Sequence, residues 1–200
     1  MNLKKNSFVV YMIKFLSAFC IMFYGTIAWI GIASPEGGYY SPFVHKYLDY
    51  VTWLRSLLLH ASMFFLQLLG YHIYLSDAYT LKMRNGSGVH VGYDCIGYGV
   101  MIFWMAFIFA NKIEFRKKIR WLFGGLLAIW TINVLRISLL LIAINHHWPL
   151  PFNMNNHTLF NIAAYLLIFI MIYFFDRSEK NKLSTPGVLT DHKKTVNAGQ

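Results

Sequence analysis

Lys112-Ile-Glu-Phe-Arg116-Lys-Lys-Ile-Arg120 runs without a break into Trp121-Leu-Phe-Gly-Gly-Leu-Leu-Ala-Ile-Trp-Thr-Ile-Asn133-Val-Leu-Arg136-Ile-Ser-Leu-Leu-Leu-Ile-Ala-Ile144. The apolar part is long enough to cross the bilayer as a helix, since about 20 residues suffice for roughly 30 Å of hydrocarbon. The basic cluster before it, opposed only by Glu114, marks that end as cytoplasmic. Phe8–Ala33 and residues 158–175 repeat the pattern, and residues 96–111 form a shorter run that must extend past those bounds to span. Phe8–Ala33 is too long for the apolar region of a signal peptide and has no clear small-x-small cleavage site after it, so it reads as a retained span.

Composition agrees with a chain built for lipid. Of 200 residues, 57% are hydrophobic and 18% aromatic, while 13% are charged, about half the charge density of a soluble domain. The net charge of +10 comes from clusters flanking apolar runs, which writes membrane orientation and argues against a nucleic-acid partner. Tyr39, Tyr40, Trp121, Trp148 and Tyr173 crowd the ends of these runs, as interfacial aromatic belts do.

Residues 43–70 differ from the other apolar stretches. His45, Asp49, Thr52, Ser56, His60 and Gln67 recur at helical spacing and share one face, so an amphipathic helix is expected, either in the interface or crossing beside a wet cavity. After it, residues 79–93 read as two short strands about Asn85-Gly86, a β-hairpin that delivers the chain to Cys95. The expected fold is therefore an all-α integral membrane protein. It comprises a bundle of about four to five transmembrane helices, the amphipathic helix and the hairpin, in a single domain over residues 1–175. Residues 176–200 are polar, contain Pro186 and Gly187, and read as a disordered cytoplasmic tail.

Residues 145–157 contain no lysine or arginine, which assigns them to the far side of the membrane together with Cys95. Lys4 and Lys5 place the N-terminus inside. Cys95 then reaches the outer side only if residues 43–70 stay on that side, in-plane or re-entrant; an N-terminus outside is the other solution.

Three residues carry candidate chemistry. Cys95, in Tyr93-Asp94-Cys95-Ile96-Gly97, is expected where the hairpin meets an apolar helix; a helix N-terminus favours the thiolate, and Gly97 lets a substrate backbone approach. The other reading is a small apolar packing residue. Arg136 lies deep in its apolar run, at an insertion cost of about 2.5–3.5 kcal/mol, and so needs an anionic partner or a wet cavity. That partner is either a transient thiolate or oxyanion, or a structural carboxylate such as Asp94 or Asp77. Asn133 shares its helical face and can orient the guanidinium. His157 opens the last apolar run and titrates near neutrality, which suits a general base; an ordinary interfacial histidine is the alternative. His146 and His147 sit beside Trp148 and Pro149 as interfacial residues. The three histidines lack metal-site spacing, and one candidate thiol without a resolving partner does not make a redox protein.

Cys95-Ile-Gly97, Asn133-Val-Leu-Arg136-Ile and His157, in this order across residues 71–175, resemble the exosortase/archaeosortase family, in its more compact form. The larger bacterial members have more spans, and small residues stand where Asp94 and Ile96 flank the cysteine here. The resemblance implies a cysteine transpeptidase in the cell membrane, multi-pass, with its active site on the extracytoplasmic side. It would cleave secreted proteins that end in a sorting signal made of a short motif, an apolar span and a basic tail. Cys95 would be the nucleophile, His157 the base and acid, and Arg136 the oxyanion stabiliser, with Asn133, Gly97 and Asp94 in support and no metal or organic cofactor. The competing expectation is a non-catalytic membrane assembly or transport component, in which Arg136 binds an anionic substrate or membrane lipids.

Overall fold

The computed structural model describes residues 3–34, 39–148 and 156–183. Helix α1 (Leu3–Ala33) is followed by a short α2 (Pro42–Tyr47), α3 (Tyr50–Leu68), strands β1 (Ile73–Asp77), β2 (Thr80–Met83) and β3 (Gly88–His90), and a 3₁₀ turn at Tyr93–Cys95. Helices α4 (Tyr98–Ala110), α5 (Phe115–Asn145) and α6 (Asn156–Leu183) complete the order. The chain divides into two compact units, Met1–Asn161 and Ile162–Gln200. The first holds everything up to the opening turn of α6, and the second holds the body of that helix.

The helices are apolar on nearly every face because lipid, not water, is their solvent. Phe8–Ala33, Pro42–Leu68 and Phe115–Asn145 are each long and apolar enough to cross a membrane. In α1 the rings of Phe15 and Phe19 meet Phe103 of α4, while Phe23 stacks on Tyr98. Rising residue numbers in one helix match falling numbers in the other, so α1 and α4 are antiparallel. The N-terminal lysines therefore share one end of the bundle, the basic end, with the α4–α5 connection and its Lys112–Arg120 cluster. On α5, Gly125 lets Trp104 of α4 come close enough that a Cβ there would collide with the indole. Trp104 is fully buried and its indole N–H donates to the Trp121 carbonyl (3.1 Å).

The opposite end carries the sheet. Its strand order is β1-β2-β3, antiparallel throughout, with Leu75 opposite Leu81 and Leu81 opposite Val89. Ile73, Leu81, Val89 and Val91 face a core completed by Leu58, Leu59 and Leu66 of α3 and by Val134, Ile137, Leu140, Leu141 and Ile142 of α5. The expected Asn85-Gly86 turn is present, with Asn85 in the left-handed region (φ 66°). Asn145, the last residue of α5, pins it: its side-chain oxygen accepts from the Ser87 N–H (2.7 Å) and its amide donates to the Ser87 carbonyl (3.3 Å). Strand β1 was not expected, because His72-Ile-Tyr-Leu-Ser-Asp follows an amphipathic helix and alternates too briefly to stand out. Its own turn is closed by the Tyr79 N–H donating to Asp77 (2.7 Å), which holds that exposed carboxyl below the usual aspartate range.

Three expectations change. Residues 43–70 form two helices rather than one, because Asp49 leaves the polar stripe, is buried, and caps α3 by accepting from the Thr52 N–H (3.0 Å). Helix α3 starts beside Thr26 and Trp29 of α1 and packs along the sheet-end half of α5, so both its ends stay in that half. Ser56 and His60 of the stripe are exposed, as are the apolar side chains of Trp53, Leu57 and Phe64 on the same helix. The run at 96–111 does not lengthen: α4 starts after Gly97 and stops before Asn111, whose extended backbone ends the helix. At 1.5 Å per residue it is about 20 Å long, short of the bilayer's roughly 30 Å. Finally, helix α6 continues beyond residue 175 to Leu183, and residues 184–200 lie outside the described residues.

The arrangement predicts which sites share a membrane face. With Cys20 and Cys95 replaced, cysteines introduced for Asn6 and Glu114 should react with an impermeant maleimide from one side and a cysteine introduced for Ser87 from the other. Labelling of positions 6 and 114 from opposite sides would contradict the antiparallel packing of α1 and α4, and labelling of all three from one side would contradict the placement of the sheet at the other end. Asn145→Ala should loosen the exposed hairpin tip by about 0.5–1 kcal/mol, the net worth of hydrogen bonds that water can replace, measured as faster proteolysis after Lys82 or Arg84.

Candidate active site

Cys95 closes the 3₁₀ turn that joins the sheet to α4 and is half-buried against the core. The turn is short: Cys95 N–H donates to the Gly92 carbonyl (3.0 Å) and Ile96 N–H to the Tyr93 carbonyl (3.2 Å). Gly97 then reverses the chain from a left-handed conformation (φ 78°) and serves as the N-cap of α4. The thiol is thus one turn upstream of the helix rather than in its first turn. The Val100 and Met101 N–H groups are already taken by the Gly97 carbonyl (both 3.1 Å). The expected helix-dipole activation of Cys95 is correspondingly weaker, because that effect fades within a turn.

Two side chains of α5 replace it as the organising contact. Asn133, buried, donates to the Ile96 carbonyl (3.2 Å), and Arg136 donates through Nη2 to the Cys95 carbonyl (3.3 Å). Being three residues apart, they lie on one helical face and grip consecutive carbonyls of the same turn. A Cβ on Gly97 would collide with the Asn133 amide, so glycine is required there for space as well as for its φ. Cys95, Gly97, Asn133 and Arg136, singled out separately in the sequence, are therefore brought into one place.

Arg136 is half-buried, and its Nε is fully shielded without a hydrogen-bond acceptor. Among the described residues no carboxylate pairs with it; the ion pairs found are His45 with Asp49 and Lys117 with Glu114. Asp77, one expected partner, is exposed in the sheet and bound to its own turn. The side chain of Asp94, the other, lies outside the described residues. So does that of His157, whose backbone forms the second residue of α6. His146 and His147 are exposed at the end of α5, His146 with its ring edge against Tyr71.

One buried cation escaped the sequence reading. Arg55 of α3 is only 4% exposed, and its guanidinium carbon lies 4.1 Å from the centre of the Tyr79 ring and 4.7 Å from that of Tyr93. Its Nη2 donates to Thr52 Oγ (3.1 Å), while its Nε has no partner. Its signal was a charge inside an apolar helix, the same one that exposed Arg136. It was masked because the polar residues around it invited an interfacial reading of the whole segment.

The close fit at Gly97 yields a prediction. Gly97→Ala should destabilise the protein by about 2–4 kcal/mol, combining left-handed strain with displacement of the buried Asn133 amide. Asn133→Ala should relieve the steric part, so the double variant should lose less than the sum of the singles in thermal unfolding, whereas independent losses would show that the two residues do not compete for space.

A bundle that sets a cysteine turn against an Asn-x-x-Arg face inside the membrane is matched by one family model, described as transmembrane exosortase, over residues 7–174. No curated protein and no solved structure matches the chain significantly. The match takes in α1, the sheet, the cysteine turn and α5, and with the apolar helices around them it shows that this multi-pass membrane protein belongs to the transmembrane exosortase family.

Proposed function

We propose that the protein is a membrane cysteine transpeptidase that cleaves the C-terminal sorting signals of secreted proteins and passes them to an acceptor in the cell envelope. The observation that carries this reading is the pair of contacts from Arg136 and Asn133 to the carbonyls of Cys95 and Ile96. They hold a thiol-bearing turn beside a guanidinium that has donor capacity to spare and no carboxylate partner among the described residues. A guanidinium in a low-dielectric site favours an anion that forms next to it.

The proposed chemistry adds His157, the base and acid that the family resemblance implies, to those groups. Cys95 loses its proton to His157, and the thiolate attacks the scissile carbonyl, forming a C–S bond and moving the carbonyl π pair onto oxygen. Arg136 stabilises the negative charge, first on sulfur and then on the oxyanion. Collapse restores the carbonyl and breaks the C–N bond, and the departing amine takes the proton from His157. The resulting thioester is resolved by an acceptor amine or by water, with the thiol restored. Lys4, Lys5 and the basic α4–α5 segment share one end of the bundle, and reading that end as cytoplasmic supports an active site on the extracytoplasmic side of the cell membrane.

Cys95→Ala and Cys95→Ser should both abolish processing while the protein stays inserted, so that secreted proteins retaining an apolar, basic C-terminal tail accumulate in intact-mass analysis. Arg136→Lys should lower the rate by about 10²–10³-fold, as loss of an oxyanion donor does. If Cys95→Ser leaves function intact while Arg136→Lys destroys it, the thiol is not a nucleophile, and an anion-binding transport or assembly role replaces the peptidase.

A further inference from the structure

We infer that Arg55 is a positioning residue for Cys95, acting through the ring of Tyr93; this rests on the nucleophile role proposed above. The 3₁₀ turn is too short to be rigid by itself, since 3₁₀ hydrogen bonds are poorer than those of an α-helix. From α5 it is held by its last two carbonyls. From the other side it is held by its first residue, because the Tyr93 ring lies on the buried guanidinium of Arg55. The same cation also lies over the ring of Tyr79, whose carbonyl accepts from the Val91 N–H (2.8 Å), the strand end that leads into the turn. Arg55 therefore ties α3 to both segments that set where Cys95 stands. Thr52 steadies the guanidinium, and Asp49 in turn fixes Thr52 by capping the helix.

The chemistry of the clamp is specific. A planar, weakly hydrated guanidinium can stack between two rings while buried, whereas an ammonium is compact and strongly hydrated, so lysine is not equivalent. Buried cations are costly unless a partner compensates them. Among the described residues Arg55 forms no ion pair with a carboxylate, and its compensation is the two aromatic faces and one hydroxyl. A residue serving the fold alone would be replaced at little loss by an apolar side chain of similar volume.

The test uses the full chain in membranes with Cys20 replaced by alanine, so that Cys95 is its one thiol. Two readouts are taken for Arg55→Lys, Arg55→Met, Tyr93→Phe and Tyr93→Leu: the pH profile of Cys95 alkylation by iodoacetamide, and the rate of sorting-signal cleavage. Arg55→Lys, Arg55→Met and Tyr93→Leu should each change the alkylation profile and slow cleavage by about tenfold or more, whereas Tyr93→Phe, which keeps the aromatic face, should behave as the native chain. The Arg55→Met/Tyr93→Leu double variant should be no worse than Arg55→Met alone, because that single change already breaks the Tyr93 contact along with the Tyr79 one. An unchanged alkylation profile in Arg55→Met, or full rescue by Arg55→Lys, overturns the inference. Should Arg55→Met fail to insert, the Tyr93→Phe and Tyr93→Leu pair decides. Cleavage that survives Cys95→Ala would sink the peptidase reading alone, since alkylation still reports whether Arg55 positions the thiol.

Discussion

The backbone carbonyls of Cys95 and Ile96 impose the constraint on which the rest of the arrangement depends. They belong to a stretch that is neither strand nor α-helix, yet it sits among membrane helices. Along α5, Arg136 is about 24 Å from Arg120 and about 14 Å from Asn145 at 1.5 Å per residue. Irregular backbone at such a depth survives only where protein groups satisfy it, because lipid offers no donors. Asn133 and Arg136 supply them, and Gly97 must then be a glycine, since any side chain would occupy the space of the Asn133 amide.

The same contact fixes the position of Arg136 through a carbonyl. A permanent salt bridge would neutralise the guanidinium and remove its pull on a transient anion, whereas a carbonyl dipole fixes its position and leaves its charge. Among the described residues, the ion pairs join His45 of α2 to Asp49 just before α3, and Lys117 to Glu114 at the basic end.

Much of this was legible in the sequence because the bilayer makes charge placement expensive. Arg136 stood out against its apolar neighbours, Asn133 followed from helical spacing, and Asn85-Gly86 announced a turn. The features that stayed hidden are those set by contacts between distant segments. Nothing local shows that Cys95 precedes α4 by a left-handed glycine instead of opening it, because a positive φ at Gly97 is chosen by Asn133 from another helix. Nor does Asp49 reveal that it leaves the polar face to cap α3. Arg55 was obscured for the same reason, since its partners Tyr79 and Tyr93 come from a turn and a loop far along the chain.

The brevity of α4 links these elements. A helix spanning the whole bilayer would have carried Cys95 out to the interface, where water satisfies carbonyls and screens charge. At about 20 Å, α4 stops short, and the chain must complete its path as the 3₁₀ turn. A turn of three residues has no hydrogen-bond ladder of its own, so its shape is dictated by what presses on it. Helix α5 grips its carbonyls and α3 stacks on its first ring. Two arginines, each costly in lipid, therefore stand beside the turn that joins the sheet to α4. They are placed where the protein has to supply by side chain what a helix would have supplied by backbone.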